Sequence, residues 1–169
     1  MYCAGHDYIT FLKNLNKFLS CDMSEYHKTD YIDGTIGIEQ FYPCGILENS
    51  VRWVFNHDSE LSMPISRWNK KRHEVNFDNI AVIMIIQSDE DAYEFEKLDI
   101  KKKVGFYYKN LGLKSIVVTD DWPDSVNIRT VNGSYPLWVN QTMSNFGKTS
   151  KVDWIRFLLG EENYRRCDG

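Results

Sequence analysis

The segment IAVIMIIQSDED, residues 80–91, opens with seven apolar residues in a row and closes on three carboxylates. Seven residues with no polar alternation read as a strand covered on both faces, so Ile80–Ile86 is expected to be the central strand of a sheet. Ser88 and Asp91 match an S-x-x-D capping box. Asp89 and Glu90 add negative charge where a helix dipole favours it, and a helix is expected over Asp89–Leu98. A buried strand feeding a helix begins a βαβ unit, and ligands of such folds gather beyond the carboxyl ends of the strands.

Upstream, FYPCGILENSVRWVFNH (residues 41–57) is strand-like, with Val51, Trp53 and Phe55 alternating against Arg52, Val54 and Asn56. The strand candidates are Thr35–Phe41 and Val51–His57, the second carrying that alternation. The basic stretch PISRWNKKRHEV (64–75) reads as a helix, with Ser62 as its cap and Pro64 in its first turn. Ile65 and Trp68 would face the sheet, leaving Arg67, Lys70, Lys71 and Arg72 toward solvent. Near the start, Tyr8, Leu12, Leu15 and Leu19 recur at helical spacing, which predicts one amphipathic helix over Asp7–Leu19. Downstream, strands are expected at Val104–Tyr108 and Lys114–Thr119. A last amphipathic helix, Lys151–Leu159, would carry Val152, Ile155 and Leu159 and stop at Gly160. The alternation of helix and strand predicts an α/β fold: a single domain over residues 1–169, with a mixed, mostly parallel sheet flanked by helices.

Composition limits the function. At 169 residues the chain can bury a conventional core, and 43% hydrophobic with 26% charged residues is ordinary for a globular domain. A net charge of −4 is the wrong sign for a general nucleic-acid binder. The longest apolar run falls far short of the ~20 residues a membrane-spanning helix needs, and the start MYCAGHDYIT has no secretory pattern. A cytoplasmic location is expected. The four cysteines are scattered, which suits free thiols. Cys3, His6, Cys21 and His27 lack the two close pairs of a zinc knuckle. Five Trp, ten Tyr and nine Phe are more often core than stacking platform.

Three groups of residues carry chemistry. Asp89 and Asp91 form a D-x-D at the end of an apolar strand, the pattern by which nucleotide-sugar enzymes hold a divalent metal such as Mn or Mg with hard carboxylate oxygens. The same residues also serve as a helix cap, which is the commoner role. Lys70, Lys71 and Arg72 suit phosphates or an anionic sugar, set against the usual solvated face. His57, at a strand end and followed by Asp58, has the order of a base oriented by a carboxylate. The FGKT at residues 146–149 lacks the first glycine of a phosphate loop, and neither G-x-S-x-G nor G-x-G-x-x-G occurs.

Tyr42, Pro43, Gly45 and Leu47, then His57, then Trp68 with Lys70, Lys71 and Arg72, then Asn76, Asp78 and Asn79, together resemble a bacterial family of unknown function. Its members are often labelled exopolysaccharide biosynthesis proteins. DYITFLKNL and VDWIRFLL look like further family elements, so the resemblance covers most of the chain. The family's opening strand and helix have no counterpart here, and Glu74 stands where a basic residue is expected. The resemblance implies a role in cell-surface polysaccharide synthesis. The residues and the resemblance together suggest a site with His57 and Asp89 as catalytic groups, and Trp68, Lys70, Lys71, Arg72, Asn76 and Asp78 around a sugar-phosphate or nucleotide-sugar ligand. The expected function is sugar transfer from a nucleotide- or lipid-phosphate donor. The alternative is a non-catalytic module that binds glycan or protein through exposed Trp and Tyr.

Overall fold

The computed structural model describes residues 2–3, 5–26, 43–55, 58, 60–118 and 152–165. Contacts divide the chain into two compact units, the first holding the described residues up to Asn79 and the second those from Ile80 onward. Both units contain helices and strands, as an α/β reading expects. The strands, however, do not form one mixed sheet: among the described residues they make an antiparallel sheet in the first unit and a parallel one in the second.

The first unit contains β1 (Tyr2–Cys3), α1 (Gly5–Lys13), α2 (Leu15–Ser20), β2 (Ser24–Tyr26), β3 (Cys44–Leu47), β4 (Val51–Val54) and α3 (Ser62–Lys71). Its sheet order is β1-β4-β3-β2. Glu48 and Asn49 both take positive φ, at 48° and 54°, and the Ser50 N–H donates to the Leu47 carbonyl at 3.0 Å. This is the mirror-image turn whose twist matches paired strands, and with Ser50 as an extra residue after it Leu47 stands opposite Val51. The strand candidate at Thr35–Phe41 lies outside the described residues.

The single helix expected over Asp7–Leu19 is two helices. Asn14 breaks it, its side-chain amide donating to the Thr10 carbonyl at 3.1 Å in competition with the backbone ladder. The helical aromatics form the core here. The Phe11 ring lies 5.2 Å from Trp53 and 6.0 Å from Trp68, and Trp53 lies 5.8 Å from Trp68. Such pairs add about 0.5–1.5 kcal/mol each beyond the area they bury. Asp7, only 8% exposed, accepts from the backbone and Nε of Arg52 at 3.1 and 2.9 Å, which fastens α1 to β4. The helix α3 begins at Ser62 itself, with Leu61 before it and no side-chain cap.

The second unit contains β5 (Ala81–Ile85), α4 (Asp89–Glu96), β6 (Lys102–Tyr107), β7 (Ile116–Val118) and α5 (Trp154–Leu159). All three strands are parallel, in the order β5-β6-β7. Among the described residues the central strand is therefore β6, which is buried along nearly its whole length, and not the apolar run of β5. β5 alternates instead: Val82 and Met84 are buried while Ala81 and Ile83 are exposed.

Alternation in β6 sorts its side chains between two helices. Val104 and Phe106 join Val117, Val152 and Phe157 in one cluster, with Trp154 and Tyr164 packed on it. Lys103, Gly105 and Tyr107 point to the opposite face, toward α4. The Lys103 ammonium donates to the carbonyls of Glu96 (2.6 Å) and Leu98, satisfying backbone acceptors that the end of α4 leaves open. Burial pushes its pKa down. Asp153 caps α5 by accepting from the Arg156 N–H, and Gly160 ends it at φ 79°. The inward face of α5 is not the expected one. Phe157 is buried, whereas Ile155 and Leu159 are 73% and 69% exposed.

Candidate functional site

In the second unit the chemistry gathers where the carboxyl ends of β5 and β6 meet the start of α4. Ser88 caps α4, its hydroxyl accepting from the Asp91 N–H at 3.1 Å. That cap fixes Asp89 as the first helical residue. Tyr107 lies on the α4 side of β6 with its ring buried, and its hydroxyl emerges to donate to Asp89 Oδ1 at 2.6 Å. Two residues later Lys109 Nζ donates to both carboxylate oxygens, at 2.9 and 3.0 Å. The ammonium also lies 5.4 Å from the centre of the Tyr108 ring.

These contacts set the charges. Lys109 first and Tyr107 second hold the Asp89 carboxyl below its usual range, and the Asp89 bond raises the Lys109 pKa in return. The Tyr107 phenol is pushed well up, by burial first and by its bond to Asp89 next. At neutral pH the site therefore holds a carboxylate, an ammonium and a protonated phenol. Asp89 and Lys109 are 47% and 44% exposed at the side chain, so a ligand can reach both.

The D-x-D residues are unequal. Asp89 is accessible but already engaged by Lys109 and Tyr107, while Asp91 is 9% exposed beneath the cap. Among the described residues no three His, Cys, Asp or Glu side chains gather as metal ligands. A divalent ion at Asp89 would have to displace the Lys109 ammonium.

The expected substrate-binding residues lie in the first unit. Arg72 turns inward to 10% side-chain exposure, against the solvated face expected for it. It donates to the Leu19 carbonyl at 2.9 Å and to Asp22 at 2.7 Å. Trp68 packs on Phe11 and Trp53. Lys70 and Lys71 are exposed, Lys71 lying 3.8 Å from Glu74. Asn76 accepts from the Asp78 N–H at 3.0 Å, which makes this pair the turn that precedes β5. His57 lies outside the described residues, and its neighbour Asp58 pairs with Arg67 at 2.7 Å.

Tyr107 and Lys109 were not among the expected site residues. The available signal was the expected strand Val104–Tyr108 with a lysine directly after it. Reading it needed the pairing of β5 with β6, which register Ile85 opposite Phe106 supplies. Among the described residues, no helix is long and apolar enough to cross a membrane.

A search of curated proteins finds no match to this chain. Residues 1–158 match one family, described as a domain of unknown function, DUF1919. With that match extending over nearly all of its length, the chain belongs to the DUF1919 family.

Proposed function

We propose that the chain handles a sugar carried on a nucleotide- or lipid-linked phosphate during the synthesis of cell-surface polysaccharide, and transfers that sugar at the carboxyl ends of β5 and β6. The observation that supports this reading is the accessible Asp89 carboxylate held by Tyr107 and Lys109. A carboxylate suits the hydroxyls of a sugar and an ammonium its phosphate, while the buried Tyr107 phenol holds the carboxylate in place. Crevices beyond parallel strand ends are where α/β folds place ligands. The resemblance to proteins labelled for exopolysaccharide biosynthesis supplies the context.

In this reading Asp89 orients a sugar hydroxyl. Its lowered pKa makes it an acceptor that stays charged at neutral pH, better suited to positioning than to storing a proton. Calorimetric titration of the full chain with UDP-glucose tests the proposal. The wild type is expected to bind and Asp89→Asn to bind about tenfold more weakly, as loss of a charge-assisted hydrogen bond implies. Absence of wild-type binding, or equal binding by the variant, would contradict it.

A second reading, a non-catalytic binding module, is favoured by the exposed apolar residues Ile155, Leu158 and Leu159 of α5. The aromatic platform expected for it is not found among the described tryptophans: Trp53 is buried, and Trp68 and Trp154 pack on neighbouring rings. Glycan binding that survives Asp89→Asn would favour this module.

A further inference from the structure

We infer that Lys109 takes the place of a divalent cation in this site, so that the phosphate of a phosphate-linked sugar binds to the Lys109 ammonium without a metal. The inference rests on the reading above and names how that site recognises its ligand. In nucleotide-sugar enzymes a D-x-D pattern holds a metal that bridges donor phosphates and carboxylates. Here the position such an ion would take against Asp89 is filled. Lys109 Nζ sits within 3.0 Å of both carboxylate oxygens, and Tyr107 donates to one of them from the buried side.

The second carboxylate gives a metal little to hold. Asp91 is 9% exposed, at the residue whose N–H is tied to the Ser88 cap. No His, Cys, Asp or Glu among the described residues completes a group of three. A cation entering the site meets the positive charge already paired with Asp89, and at about 3 Å that repulsion opposes it in any dielectric. An anion meets the reverse. The Lys109 side chain is 44% exposed, and swinging a lysine head from carboxylate to phosphate needs only rotation of a flexible stem. As the ammonium shifts to phosphate, Asp89 gains a free acceptor for a sugar hydroxyl while Tyr107 keeps it in place. Lys109 is thus the phosphate-binding residue and Asp89 the sugar-binding one.

The test titrates the full chain with UDP-glucose, and with a polyprenyl-phosphate glucose in detergent micelles for the lipid-linked form. Each titration is run once in EDTA and once in Mn²⁺. The expected result is equal binding in both buffers, with Lys109→Met weakened about tenfold or more and Lys109→Arg restoring most of the affinity. The tighter of the two probes identifies the carrier of the phosphate. Because Lys109 is exposed, Lys109→Met should melt like the wild type, which separates lost binding from lost folding. Binding that requires Mn²⁺, or metal-free binding untouched by Lys109→Met, overturns the inference and leaves the proposed function standing. Failure of both probes in both buffers overturns the two together.

Discussion

Asp89 accepts from a phenol and an ammonium at once, and both partners favour its charged form. The consequence for pH has a definite sign. A carboxyl whose pKa falls on folding stabilises the fold above its unfolded value of about 3.9, and that contribution is lost as pH falls through the lower folded value. Following the Asp89 carboxyl carbon by NMR should give a midpoint below the ordinary carboxylate range, and Lys109→Met should move it up. A midpoint unmoved by the variant would mean that the ion pair does not form in solution. Gly45 makes a separate prediction at this scale. A Cβ there would run into Met23 Sδ, with Met23 Cγ at 2.8 Å and Phe55 Cε2 at 3.2 Å. Gly45→Ala should therefore cost about 1–3 kcal/mol by urea unfolding, the usual range for overpacking.

The helix α4 connects the two ends of its unit. Its first turn presents Asp89, and its last is held by Lys103 from β6 and by Glu96, whose carboxylate accepts from the N–H groups of Lys114 and Ser115 at 3.1 and 2.9 Å. Ser88→Ala should cost about 1 kcal/mol in thermal unfolding, as expected for a lost helix N-cap, and should also loosen Asp89. Lys103→Met should cost about 1–3 kcal/mol, because it strands the carbonyls at the end of α4. A melting temperature unchanged in either variant would show that these contacts do not hold the helix. The start of this element was legible in advance, since a serine three residues before an aspartate states its own hydrogen bond. Position within the sheet was not. The run Ile80–Ile86 announces a strand, but apolar count does not say how many neighbours a strand has, and among the described residues β5 has one. The facing of α5 is ambiguous for a related reason: Trp154 and Phe157 at i, i+3 are as helical in spacing as Ile155 and Leu159 at i, i+4, and only the cluster around Phe106 selects between them.

At the scale of the whole chain, the two sheets follow from two kinds of connection. The turn at Glu48 and Asn49 returns the chain directly and forces an antiparallel pair. The crossover through α4 brings β6 back parallel to β5. The sequence shows Asn49, which tolerates positive φ, but Glu48 gives no such hint, and the strand candidates Thr35–Phe41 and Val51–His57 leave β3 without an assignment of its own. The same limit hid half of the candidate site. Asp89 was visible from its strand and cap, whereas Tyr107 and Lys109 reach it across 18 and 20 residues, through a pairing that no local pattern encodes. The most direct test of the site is to map amide shifts in the ¹⁵N-labelled chain during titration with UDP-glucose. The account predicts saturable shifts concentrated at residues 88–90 and 107–110. Shifts that leave these residues unmoved while others saturate would place the ligand elsewhere and contradict it.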